Sequence, residues 1–264
     1  MGENEWKYFA ERDYLAGIFL WTGMDYRGEP TPLSYPAVYS QFGIFDYCGF
    51  PKDNFHYYKS WWTDGPTLHI FPHWNLGDRI GERITVYCYS NLEEVELSVN
   101  GKSYGRKRME RNWYLTWENV IYEPGEAVAR GYVKGREVMV KTVRTTGIPH
   151  KIDLVPYKNT VMEGDTAIIN VRVTDKSGIT VPTADHNIFF TIEGGQFLGT
   201  GNGNPGSHES DKIPVRRAFN GLCQFLVKAD NSGVMKITAK SDELIQGTCE
   251  ITVQSSCFCR AQRL

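Results

Sequence analysis

From about residue 66 onward, apolar and polar positions alternate with a period of two, and the alternation is broken at short intervals by turn-forming pairs. In "RITVYCYS", Ile84, Val86 and Cys88 share one face while Thr85, Tyr87 and Tyr89 share the other. "EVELSVNGKSYG" sets Val95, Leu97 and Val99 on one face, then supplies Asn100-Gly101. Both of those residues tolerate positive φ, so the pair predicts a two-residue hairpin. "YLTWENVIYEPGEAVARGYVKGREVMVKTVRT" continues with further strands around Pro-Gly and Lys-Gly turns, and "TTGIPH" reads as a linker. Beyond it, "KIDLVPY", "TAIINVRVTD", "NIFFTIEG", "GLCQFLVKAD" and "VMKITAKS" are again β runs, with "DKSG" and "DNSG" as turns. Two successive all-β segments of this kind predict two immunoglobulin-like β-sandwiches.

The first 64 residues follow a different pattern. In "WKYFAERDYLAG", Trp6, Phe9, Ala10 and Leu15 recur at helical spacing. "GIFLW", from Gly17 to Trp21, is a continuous apolar run and predicts a buried strand. A loop with Pro30, Pro32 and Pro36 follows, then "NFHYYKSWWT", a predicted helix with Phe55, Tyr58, Lys59 and Trp62 on one side. Helix, strand, loop and helix make one unit of an α/β protein. A single strand cannot build a parallel sheet, because its backbone groups have no partners.

Length and charge narrow the picture. A chain of 264 residues suggests two or three units. The formal net charge of −2 gives no electrostatic footprint for nucleic acid or an anionic membrane. No apolar run approaches the ~18 residues of a membrane span. "GENEW" after Met1 has neither the basic start nor the apolar core of a signal peptide. Of the six cysteines, Cys48, Cys88, Cys223 and Cys249 sit in apolar surroundings typical of buried thiols, with a Cys223–Cys249 disulfide as an alternative. Cys257 and Cys259 are too closely spaced for a zinc knuckle. Aromatic residues reach 13% of the chain, and such rings fill cores or pack against sugar C–H faces.

Several stretches suggest chemistry and mostly have plainer readings. His69 and His73 are four apart, but Pro72 and a strand-like context spoil a helical metal pair, so no metal is expected. "HWN" is expected to pack the first sandwich against the N-terminal segment. "GTGNGNPGSHES" lacks the Gly-Lys-Ser/Thr ending of a phosphate loop and opens no helix, so a tight inter-strand loop is expected. Asn202, Asn204 and Glu209 there are candidates for a carbohydrate or calcium contact. Asp25, Glu29, Asp46 and Asp53 are the candidate carboxylates of the opening segment, for each of which a loop hydrogen bond or salt bridge is the simpler role.

Taken in order, "GIFLWTGMDYRGEP", "SQFGIFDYCGFPKDNFHYYKSWW", "LHIFPHWN", "VELSVNGKSYG" and the long run from "VPTADHNIFF" to "GLCQFLV" resemble the C-terminal portion of glycoside hydrolase family 2 enzymes of the Bacteroides β-galactosidase type. The resemblance covers nearly the whole chain. It implies a mainly β fold, with two immunoglobulin-like sandwiches preceded by the last strand–helix unit of a truncated (β/α)8 barrel. Residues 1–64 would be the barrel remnant, 65–147 the sandwich that follows it, 148–254 an invasin-like C-terminal sandwich, and 255–264 a tail. It implies retaining hydrolysis of terminal β-glycosides by two glutamates at the ends of barrel strands four and seven. Neither would lie in a chain that starts near strand eight, so the chain alone is expected to be inactive.

The resemblance also assigns substrate-binding candidates. Trp21 would form a wall of the sugar site, its alternative being a core tryptophan. Lys52 in "GFPKD" would meet substrate hydroxyls or a carboxylate, its alternative being a solvated lysine. Asp25 would orient the loop beside Trp21. β-Glucuronidases of the family hold the acid group with an Asn-x-Lys motif, and "PKDN" is not that motif, which argues against a glucuronide. No catalytic residue and no cofactor are implied. The partners implied are a carbohydrate, no nucleic acid, no membrane, and a homo-oligomer through the exposed barrel remnant. By resemblance the compartment would be the periplasm or the exterior. The alternative to an enzyme part is a carbohydrate-binding or structural module.

Overall fold

The computed structural model describes residues 2–255, and the chain is mainly β. The expected tail, with Cys257 and Cys259, lies outside the described residues apart from Ser255. The described residues divide into two compact units, one of residues 2–31 and 39–146, the other of residues 32–38 and 147–255.

The first unit opens with helix α1 (Gly2–Ala10), then a long irregular stretch, then helix α2 (Asp53–Trp62). Seven strands follow: β1 (Leu68–Phe71), β2 (Arg83–Ser90), β3 (Glu94–Val99), β4 (Lys102–Arg108), β5 (Leu115–Ile121), β6 (Glu126–Val133) and β7 (Arg136–Arg144). They form two antiparallel sheets, ordered β1-β2-β5 and β4-β3-β6-β7. The alternation in the sequence explains the core between them. Ile84, Val86 and Cys88 from β2 meet Val95, Leu97 and Val99 from β3, and all six are buried. The β3–β4 turn is Asn100-Gly101, with φ of 48° and 81°. That conformation matches the right-handed twist of the flanking strands, as the sequence predicts.

Two readings of the N-terminal segment need correcting. Residues 17–21 are not a strand, and Phe19 is fully exposed. The physical reason is the missing partner: among the described residues no strand runs beside Gly17–Trp21 to take up its backbone groups. Leu20 is drawn inward, against a cluster of Tyr57, Tyr58 and Tyr89. Secondly, "HWN" does not join the sheets to the segment before them. Trp74 belongs to the core between the two sheets, where its indole donates to Glu123 O at 3.1 Å. Instead it is β1 that meets α2. His69 stacks on His56 with ring centroids 3.8 Å apart, and Phe71 packs against the tyrosine cluster. Helix α1 is tied down by polar bonds as well. The Tyr89 hydroxyl donates to Glu3 Oε1 at 2.6 Å, and Trp6 Nε1 donates to Asn112 Oδ1 at 3.1 Å.

Among the described residues the second unit has nine strands: β8 (Lys151–Pro156), β9 (Thr160–Met162), β10 (Thr166–Thr174), β11 (Asn187–Glu193), β12 (Gly195–Gly201), β13 (Val215–Arg217), β14 (Leu222–Ala229), β15 (Gly233–Lys240) and β16 (Gly247–Gln254). Their sheets run β12-β14-β10-β8 and β13-β11-β15-β16-β9, antiparallel except for the β9–β16 pair. Ile169, Val171, Phe225 and Val227 from the first sheet share a core with Ile188, Phe190, Ile237 and Ile251 from the second. In the "DKSG" turn, Asp175 Oδ1 accepts the N–H groups of Ser177 and Ile179, which closes the turn with a side chain. The loop at 32–38 completes this unit. Val38 N donates to Pro205 O at 2.8 Å, and the His208 ring meets Pro36 O at 2.8 Å. Cys223 and Cys249 are free thiols, so the alternative disulfide between them is not formed.

Candidate functional site

The stretch after Trp21 has little regular structure, yet its backbone is well satisfied. Thr22 N donates to Phe42 O, Asp25 N to Phe45 O, Phe45 N to Gly23 O, and Ser40 N to Tyr26 O. Residues 22–26 therefore lie beside residues 40–45, and Lys52 N reaches back to Ile44 O at 2.9 Å. Gly43 allows this close approach. A Cβ there would stand 2.3 Å from Asp25 N and 2.4 Å from Phe45 O, both backbone atoms with no room to yield.

This arrangement brings two of the three candidate residues together across 27 positions of sequence. Asp25 is buried. Its Oδ1 accepts the Gly43 N–H at 2.8 Å, and its Oδ2 pairs with Lys52 Nζ at 2.7 Å. The ammonium makes a second bond to Gln41 O at 3.3 Å. A buried carboxylate thus has a full charge partner and a backbone donor, which is what allows it to stay buried.

Trp21 is bound to a different set of groups. It is 72% exposed, and its indole N–H donates to the Tyr26 hydroxyl at 3.2 Å. That hydroxyl donates in turn to Glu29 Oε2 in a short bond. The bond to Glu29 raises the Tyr26 hydroxyl above its ordinary pKa. Trp21 therefore lies outside the buried cores of the described residues. Tyr26 was not legible as a site residue from the sequence. Its only signal is its place within "GMDYRGEP", and the fold of that loop decides where its hydroxyl points.

The four candidate carboxylates of the segment all have partners. Asp25 has Lys52 and Gly43, and Glu29 has Tyr26. Asp46 Oδ1 accepts the N–H groups of Cys48 and Phe50, both at 2.9 Å. Burial pushes the Asp46 carboxyl above its usual range, against the pull of those bonds. Asp53 pairs with His69 Nε2 at 2.7 Å. Among the described residues no three His, Cys, Asp or Glu side chains gather to hold a metal.

The polar groups of the loop at 202–213 are bonded to one another and to neighbouring chain. Asn202 donates to Arg217 O and accepts from Asn204 N, and Asn204 accepts from Gly206 N. Arg216, 1% exposed, pairs with Asp211 at 2.6 Å and Glu209 at 3.4 Å and donates to Thr200 O. The polar groups that suggested a carbohydrate or calcium contact hold the loop together.

Comparison with known proteins agrees with the motifs. Residues 152–250 match the family described as glycoside hydrolase family 2 C-terminal domain 5, and residues 81–139 match a domain of unknown function (DUF4982). A β-galactosidase of Bacteroides ovatus is 41% identical over 96% of this chain and 30% of its own length. The chain belongs to glycoside hydrolase family 2. A β-glucuronidase of Formosa agariphila is 31% identical over 90% of the family 2 chain and 24% of its own length. The crystal structure of a β-glycosidase from Bacteroides vulgatus superimposes with a TM-score of 0.89 at 33% identity, covering 95% of this chain and 32% of that one. The chain therefore spans about a quarter to a third of the length of these relatives.

Proposed function

We propose that this chain is the C-terminal part of a retaining, β-galactosidase-like enzyme that hydrolyses terminal β-glycosides. The observation that carries this reading is the 41% identity with a β-galactosidase across 96% of the chain. In this reading residues 1–64 belong to the catalytic barrel, and residues 65–147 and 148–254 are immunoglobulin-like sandwiches. The run 17–21 becomes a barrel strand when its neighbours are supplied. An apolar cavity of about 250 Å³ lined by Ile44, Phe55, Tyr58, Lys59, Trp62 and Thr63 is the face left for the rest of the barrel.

A retaining mechanism needs two carboxyl groups about 5–5.5 Å apart, one attacking the anomeric carbon and one transferring the proton. Asp25, Glu29, Asp46 and Asp53 are each committed to other partners, and in this reading both catalytic groups lie outside residues 1–264. Trp21 supplies an aromatic face for the sugar ring. Asp25 and Lys52 are positioning residues, fixing residues 41–43 against residues 22–26. The test is hydrolysis of an aryl β-galactoside by the full-length enzyme and by residues 1–264 alone. Turnover is expected only from the former, and activity of the latter that survives repurification would overturn the assignment.

A binding-module reading is favoured by one feature. The second unit has a cavity of about 220 Å³ that combines the exposed ring of Tyr157 with Lys158, Asp165 and Thr166, the mixture of apolar face and polar groups that sugars require. Affinity electrophoresis in polysaccharide gels would show retardation that Tyr157→Ala abolishes if this unit binds glycans.

A further inference from the structure

The relatives divide between β-galactosidases and β-glucuronidases, whose substrates differ by a carboxylate on the sugar. If Trp21 is the sugar-facing surface, as proposed above, the charges around it decide which sugar is admitted. We propose that Glu29, held in place by Tyr26, is a specificity-determining residue that restricts this site to uncharged β-glycosides.

The first argument is the state of the positive charge. Lys52 is the cation among the candidate residues, and it is neutralised by Asp25 at 2.7 Å with a further bond to Gln41 O. An incoming uronate would have to compete with a buried carboxylate already in contact. Arg27, the basic residue nearest to Glu29 in sequence, has its guanidinium over the rings of Tyr39 and Tyr47 at 5.4 and 5.8 Å.

The second argument is the negative charge. Glu29 and the Trp21 indole are joined through one oxygen, the Tyr26 hydroxyl, which accepts from the indole and donates to the carboxylate. Two successive hydrogen bonds fix the carboxylate within a few ångströms of the aromatic edge. Among the described residues no lysine or arginine forms an ion pair with Glu29. Its backbone φ of 43° is in the left-handed region, which non-glycine residues seldom occupy. The loop holds a glutamate there despite that cost, with its carboxylate turned back onto Tyr26. An uncharged sugar can donate hydroxyl hydrogens to this carboxylate. A uronate would bring a second anion beside this exposed carboxylate, and repulsion at such range weakens binding several-fold even where water screens it.

The test uses the full-length enzyme with p-nitrophenyl β-galactoside and p-nitrophenyl β-glucuronide. Wild-type kcat/KM is expected to favour the galactoside. Glu29→Gln should narrow that preference several-fold, chiefly through a lower KM for the glucuronide, and Glu29→Lys should narrow it further. Tyr26→Phe, which frees both Trp21 and Glu29, should raise KM for the galactoside with kcat little changed. Glu29 is exposed, and an unchanged circular dichroism spectrum controls for folding. A preference unmoved by Glu29→Gln, or a wild-type preference for the glucuronide, overturns the role given to Glu29 while leaving the glycosidase reading intact. Turnover of neither substrate overturns the glycosidase reading and this inference with it.

Discussion

Replacing Lys52 by Met tests whether the Asp25–Lys52 pair organises the loop around Trp21. The variant keeps the apolar stem and removes the ammonium. Asp25 is then a buried carboxylate whose remaining partner in this pair of contacts is the Gly43 N–H. Removing one partner of a fully buried pair costs about 3–5 kcal/mol. The Lys52 side chain is 30% exposed, so water can enter and offset part of that. A loss of about 2 kcal/mol is expected for Lys52→Met. Asp25→Asn keeps an acceptor for Gly43 and leaves a lysine that can turn to solvent, so about 1 kcal/mol is expected. In the double variant neither charge is stranded, and a coupling energy of about 1–2 kcal/mol should appear in the cycle. Urea unfolding followed by tryptophan fluorescence gives the energies. Hydrogen exchange at the Gly43 amide, which donates to Asp25, reports on the same site locally. A coupling below about 0.5 kcal/mol with unchanged Gly43 protection would show that the pair behaves like a surface ion pair and refute the reasoning.

Other consequences can be measured on the same chain. His56 is half-buried against the ring of His69, near Asp53, Lys59 and Lys141, and burial lowers its pKa from 6.5 to about 4. The unfolded chain therefore binds a proton that the folded chain refuses between those values, so stability should fall as pH drops from about 6.5 toward 4. Discounted for exposure, the His56 contribution is about 1–2 kcal/mol, and His56→Phe should flatten that part of the pH profile. Arg216→Met leaves Asp211, Glu209 and the Thr200 carbonyl without their common donor and should lower the stability of the second unit by about 3 kcal/mol. A thermal shift corresponding to less than about 1 kcal/mol would contradict this. Gly43→Ala drives a Cβ into backbone atoms at 2.3 and 2.4 Å and should cost about 2–3 kcal/mol. A stability equal to wild type would show that the loop can shift.

The strands were legible because alternation has one outcome where a sheet has one buried face. Ile84, Val86, Cys88, Val95, Leu97 and Val99 are buried as their spacing requires, and Asn100-Gly101 closes its hairpin. "GIFLW" misled for a related reason. An apolar run specifies a strand only when neighbours exist to take its hydrogen bonds, and the run itself says nothing about them. The helix at Asp53–Trp62 was visible from its spacing, but its contact with His69 was not, since helix-to-strand packing depends on the third dimension. The same limit applies to the site. Trp21, Asp25 and Lys52 were all named from the sequence. The ion pair between the last two follows from residues 22–26 lying beside 40–45, which no local pattern announces.

The loop at 32–38 has a consequence for how this region is inherited and cut. Its backbone and ring contacts to Pro205 and His208 make the second unit discontinuous in sequence. A gene fragment that begins at the "TTGIPH" linker would encode most of that unit but not the strip of chain that covers its Asn204–His208 loop. Recombination or expression that treats the linker as a clean border should therefore leave exposed groups at that loop. The second unit is inherited whole only together with residues that lie more than a hundred positions upstream.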